Sequence, residues 1–303
     1  VPVQNNRDLG SSSNRLGDGI DQRALRQAQQ QCRRLAKSHY ENFLVASVLL
    51  PRRLRQPFFN VYAYCRTADD LADESPSPQE ALRRLDEFQQ QLDRTFAGRP
   101  PANLFTALAD TIDRFELPKQ PFADLLSAFR QDQTQLTYQT FDQLEDYCRR
   151  SANPVGRIVL KLGDALSDQT AQLSDQICTG LQLANFWQDV ARDRAIGRTY
   201  VPQAEMDRFA VTDSMLAAAE TSPPLRKLLA SECDRAERLL HSGLGLTERV
   251  PPWLGRNVKL FAHGGLATLT AIRNINFDVL RVRPTVSKRT QLGLVCRAML
   301  GRL

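Results

Sequence analysis

Apolar residues recur at a period near 3.6 along almost the whole 303-residue chain, and that period constrains it to helices. Alternating strand-like runs and Asn-Gly hairpin signals are missing, and β-branched residues are sparse. The pattern predicts helices over about 21–38, 51–74, 78–97, 103–116, 121–137, 142–166, 173–194, 223–246 and 254–281. Pro51, Pro76, Pro101, Pro118, Pro121, Pro202 and Pro223 fall near the predicted ends, where proline is tolerated or stops a helix. No break resembles a domain linker. The expected fold is one all-α domain over 21–283, with a polar, flexible arm over 1–20 and a basic tail over 284–303.

Composition excludes several classes. The longest strongly apolar stretch, FLVASVLL at 43–50, is far short of the ~20 residues that a spanning helix needs. The polar N-terminus has no apolar core of the secretory kind. Six scattered cysteines without a CxxC read as reduced, buried thiols of a cytoplasmic protein. His39, His241 and His263 are far apart and offer no zinc spacing, so any metal would take oxygen ligands, which suits magnesium. The net charge of +6 lies wholly in the stretch from Arg281 onward, which holds six Lys/Arg and no acid. A solvated terminus is the plainest reading of that tail. Its Leu, Val and Met at loose helical spacing also suit an anionic membrane surface, met peripherally at the inner face of the cell membrane. Nucleic acid is the weaker alternative and is not expected as a partner.

Two windows stand out. Tyr62, Arg66, Asp69 and Asp73 step by 4, 3 and 4, and Gln182, Asn185, Asp189 and Asp193 step by 3, 4 and 4. Each set lies on one face of its helix and ends in two aspartates one turn apart, ~5–6 Å at Cβ. Like charges at that spacing weaken an isolated helix. A lone DxxxD is as readily a solvated acidic turn, but two such windows, each led in by apolar helix and by Arg or Asn/Gln on the same face, point to cations. Two facing acidic helices suit Mg²⁺ completed by substrate phosphates, hence a diphosphate substrate whose C–O bond ionises beside an apolar, aromatic pocket. Phe43, Phe58, Phe59, Tyr62, Tyr64, Phe129, Tyr147, Phe186 and Trp187 are candidate linings, with ordinary core packing the competing reading for each.

YCRTADDLADE (64–74) and LQLANFWQDVARDRAIGRTYVP (181–202), with SHYENF (38–43) and DYCRRSANPVG (146–156), resemble the signatures of the squalene/phytoene synthase family from about Arg23 to Arg283. The resemblance implies an all-α isoprenoid synthase bundle with a central apolar cavity, joining prenyl diphosphates with two or three Mg²⁺. Within the family these stretches look most like the hydroxysqualene synthase branch found with bacterial hopanoid genes. That branch ionises presqualene diphosphate, rearranges the cation and captures water. It implies functional coupling to other hopanoid-pathway enzymes and no need for NADPH.

Carried over by motif, Asp69 and Asp73 form the first metal pair, and Asn185, Asp189 and Asp193 the second set. The segment His39, Tyr40, Glu41, Asn42 and Phe43 would meet the diphosphate and pocket. Tyr62 and Arg66 match substrate contacts, with Arg66 a diphosphate clamp because its planar fork suits phosphate oxygens. Gln182 matches a pocket residue and Tyr147 the aromatic near the reacting centre. Arg198 and Tyr200 match a flap over the diphosphate, and Asp132 a further polar contact. Asp70 and Glu74 read as secondary or solvated. Three departures stand out. Gln188 replaces the Arg usual before Asp189, Asn153-Pro154 replaces a helix-compatible glycine and should kink its helix, and Phe277 stands where Tyr is common. The lost charge at 188 and a polar notch at the kink favour a single-diphosphate enzyme that admits water, and both 188 and 277 count as substrate-end positions. A squalene or presqualene diphosphate synthase condensing two farnesyl diphosphates is the alternative, then a phytoene-type synthase. A non-catalytic membrane scaffold is the reading from outside enzymology.

Overall fold

The computed structural model describes residues 21–38 and 49–303. Among the described residues the regular structure is helical, apart from one isolated parallel bridge between Thr137 and Thr199. The N-terminal half holds α1 (Gln22–Ser38), α2 (Arg52–Asp73), α3 (Pro78–Phe96), α4 (Leu104–Phe115) and α5 (Gln120–Gln131). Next come α6 (Phe141–Ser151), α7 (Asn153–Leu162) and the long α8 (Asp168–Ala195). The short α9 (Gln203–Arg208) and α10 (Asp213–Leu216) lead to α11 (Pro223–Gly243), α12 (Pro252–Asn274) and α13 (Lys288–Met299).

Two helices organise the packing. α2 starts after Pro51 and buries Leu54, Phe58, Val61, Tyr64, Ala68 and Ala72, the steps of three and four that keep one stripe inward. It packs on α1, α3, α4 and α5. The Tyr64 ring sits among Phe88, Phe105 and Phe122, and its hydroxyl donates to the Phe122 carbonyl at 2.9 Å. Tyr64 and Phe58 are therefore core residues rather than pocket lining. α8 is the axis of the other half, packed on α7, α11 and α12. It buries residues on several faces, Ser174, Ile177, Gly180, Leu183, Trp187 and Val190 among them, as a helix surrounded by others must.

The structure corrects several expected boundaries. The helix expected over 121–137 ends at Gln131, freeing Asp132 and its neighbours to form a turn. The helix expected over 142–166 breaks outright at Ala152, whose φ/ψ of −120°/−49° leaves the helix. Pro154 then falls in the first turn of α7, where its missing N–H is no loss. Asn153 at that break is buried, and its Oδ1 accepts from Thr179 Oγ1 at 3.0 Å. α8 begins earlier than expected because Ser167 and Thr170 form a reciprocal capping box. α12 stops at Asn274, followed by left-handed Asn276 and Phe277. Residues 288–299 of the basic tail are a helix against α12 with Ala298 buried, not a solvated terminus.

Candidate active site

The first acidic window lies in the last two turns of α2. Arg66 does not project freely: it pairs with Asp69 at 3.2 Å, closely with Asp70, and with Glu74 at 3.8 Å. Asp70 and Glu74, expected to be secondary or solvated, thus hold Arg66. Burial, and then the neighbouring Asp73, push the Asp69 carboxyl up to about 6. Asp73, half exposed, meets Arg198 at 3.2 Å.

The second window lies at the end of α8. Burial, and then Asp189, push Asp193 up to about 7. The helix ends in a Schellman motif: Gly197 N–H donates to Arg194 O at 2.9 Å and Arg198 N–H to Asp193 O at 2.8 Å. The motif needs a left-handed residue, supplied by Gly197 at φ 83°. The helix cap therefore places Arg198 beside its own window. Thr199 N–H donates to Leu136 O and Gln203 N–H to Tyr138 O, fixing the loop on the α5–α6 turn. Arg198 then acts on Asp69, Asp73, Asp132 and Asp193, carboxylates from three separate parts of the chain.

Asp132, 6% exposed, is the buried member of this set. Tyr147 Oη donates to it at 2.8 Å and Tyr200 Oη at 3.3 Å. Burial raises its carboxyl to about 6. Tyr200 stacks on Phe186 at 3.9 Å and on Tyr138 at 5.8 Å, and Tyr147 lies 6.1 Å from Phe186. Phe186, Tyr200, Asp193 and Arg198 line one crevice. An aromatic box thus sits directly under the second window.

Asp189 is held by a residue that sequence reading missed. Arg283 Nε donates to Asp189 Oδ1 at 2.5 Å and Nη2 to Oδ2 at 3.0 Å, a two-point clasp. No local signal announces this contact, because Arg283 lies 94 residues away in a basic stretch. Tyr138 went unnoticed for the same reason. Gln182 is half-buried and Asn185 exposed on α8. Tyr62 is half-buried on α2 with its hydroxyl pushed upward, chiefly by burial. Phe277 packs on the core that also contains Tyr147, Phe186 and Tyr200. His39 to Phe43, and their share of the expected cavity, lie outside the described residues.

The donor set suits a hard divalent cation. The two pairs offer only oxygen, and burial with a neighbouring carboxylate raises one member of each, Asp69 and Asp193. Among the described residues no three His, Cys, Asp or Glu side chains form a closed cage. Magnesium retains waters and takes phosphate oxygens, so a carboxylate pair on each side fits it.

A helical fold carrying two facing aspartate pairs around an arginine defines a class, the all-α synthases of the squalene/phytoene type. The family profile for squalene/phytoene synthase matches residues 10–290, and the chain belongs to that family as one of its enzymes. It is 36% identical over 264 residues to a hydroxysqualene synthase of Rhodopseudomonas palustris, covering 86% of each chain. It is 30% identical over 295 residues to a 15-cis-phytoene synthase of Synechococcus elongatus, covering 91% of this chain and 94% of the other. The crystal structure of squalene synthase HpnC from Alicyclobacillus acidocaldarius superposes with a TM-score of 0.81 at 44% identity, covering 87% of this chain and 99% of that one.

Proposed function

We propose that the chain converts presqualene diphosphate into hydroxysqualene and diphosphate. The observation that carries the reading is the convergence of Asp69 and Asp73 from one window and Asp193 from the other on Arg198, beside an aromatic box. Asp69 and Asp73 on one side, and Asn185, Asp189 and Asp193 on the other, would hold Mg²⁺, which supplies charge to the leaving diphosphate. Arg198 and Arg66 are placed to exchange carboxylate partners for phosphate oxygens. The substrate C–O bond breaks with its electron pair leaving on diphosphate, the cation rearranges, and water adds and gives up a proton. Phe186, Tyr147 and Tyr200 form the aromatic wall beside the second window that would shelter the cation. The α6–α7 break, which puts the polar Asn153 side chain inside the bundle, supports a water-admitting site.

Incubation with presqualene diphosphate and Mg²⁺, without NADPH, should yield hydroxysqualene and leave added farnesyl diphosphate untouched. Consumption of farnesyl diphosphate without hydroxysqualene would assign the chain to the condensing branch, as would phytoene from a longer diphosphate.

The same reading places the enzyme in the cytoplasm, at the membrane that holds its apolar product. Among the described residues no helix is long and apolar enough to cross a membrane. α13 turns Leu294 and Ala298 inward, while Leu292, Met299 and Leu300 are 63%, 50% and 67% exposed. Lys288, Arg289, Arg297 and Arg302 accompany that exposed stripe with no acid nearby in sequence, a pattern complementary to anionic lipid. Vesicles containing phosphatidylglycerol should bind the enzyme, and the triple change Leu292→Ser, Met299→Ser, Leu300→Ser should release it. Equal binding by the triple variant would remove the membrane role from α13.

A further inference from the structure

Gln188 and Arg283 form one device. Gln188 is 9% exposed, on the α8 turn that carries Asp189. Its Nε2 donates to the Pro284 carbonyl at 2.6 Å, and its Oε1 accepts from Arg283 Nη2 at 3.3 Å. Donor and acceptor of the side-chain amide both engage one dipeptide, 96 and 95 residues away. The same Arg283 clasps Asp189 through two nitrogens. Pro284 restricts Arg283 to extended backbone and has no N–H to compete for the amide. An arginine at 188 could not do this work: it has no acceptor for Arg283 and would set two guanidinium groups together.

We propose that Gln188 is a positioning residue: it fixes the Arg283–Pro284 segment so that Arg283 serves as the cation of the second aspartate window. Gln188 carries no charge of its own, and the cation at this window comes instead from Arg283, on a segment arriving from the C-terminal end. An amide can lock an extended backbone at its carbonyl; a charged side chain at the same place would instead compete with it. The functional part of this inference rests on the diphosphate reading above, whereas the positioning part does not.

The test has two arms on the full-length enzyme. In the first, amide hydrogen exchange is followed for the peptide spanning 282–287 without ligand. Gln188→Ala should speed exchange there while leaving α8 and the melting temperature near those of the parent. In the second, calorimetry measures inorganic pyrophosphate binding in the presence of Mg²⁺. Gln188→Ala and Arg283→Ala should each weaken binding about tenfold, the scale of a charge-assisted hydrogen bond. The double variant should be no weaker than Arg283→Ala alone, because Gln188 acts through Arg283. Unchanged exchange at 282–287 overturns the positioning role, and additive losses in the double variant overturn its route through Arg283. A parent enzyme that fails to bind Mg²⁺-pyrophosphate would count against the diphosphate reading, with the exchange arm still deciding the role of Gln188.

Discussion

At the scale of single residues, charge placed where water is scarce explains most of what is distinctive. Burial raises Asp69, Asp132 and Asp193; Asp73 then adds to the rise of Asp69 and Asp189 to that of Asp193, whereas Arg198, Tyr147 and Tyr200 pull Asp132 back down. Glu232 on α11 shows the same physics away from the site. It is fully buried, neither oxygen has a hydrogen-bond partner, and Arg235 approaches only to 3.5 Å. Burial pushes it up to about 7 against the pull of Arg235, Arg208 and Arg238, with Glu205 adding repulsion. The folded chain therefore keeps this proton after the unfolded chain has released it. Stability should fall as pH rises from about 4.5 to about 7 and level off above, since the unfolded state binds fewer protons across that window. Glu232→Gln should remove that fall, gaining on the order of 2 kcal/mol at pH 8 and little at pH 4.5. Urea melts of both proteins at the two pH values measure it; a pH-independent difference would refute the assignment.

At the scale of elements, close approach and capping decide which helices meet. A Cβ on Gly180 would lie 2.9 Å from Leu240 Cγ and 3.1 Å from the Ala236 carbonyl, so α8 and α11 touch through backbone. Gly265 on α12 meets the same Leu240. Gly180→Ala should push the helices apart and destabilise by about 1–3 kcal/mol, read as a lower urea midpoint. At the start of α8, Ser167→Ala removes one half of the capping box and should cost about 1 kcal/mol, with turnover per folded molecule unchanged. The two variants separate packing from capping on a single helix. The sequence showed α8 as a helix but not its first turn, because Thr170 stands where Glu or Gln would advertise the box.

At the scale of the whole molecule, the functional reading needs both windows at once. Asp69→Asn and Asp189→Asn should each lower turnover by about 100-fold or more while circular dichroism stays that of the parent. Full activity in either variant would sink the metal assignment. Chelation should abolish activity and added Mg²⁺ should restore it. What the sequence determined by itself is local. The 3.6-residue period places Asp69 with Asp73 and Asp189 with Asp193 on single helix faces, because helix geometry depends only on neighbours in the chain. Proline at 154 likewise announced a disturbance of the helix expected over 142–166, a kink, although the chain breaks outright there into α6 and α7. Tertiary structure alone decided that Asp70 holds Arg66, that Asp132 receives Tyr147 and Tyr200, and that Arg283 reaches Asp189. The reason is physical: a repeat along the chain fixes which way a side chain faces, but which faces meet depends on turn geometry and packing summed over the whole fold.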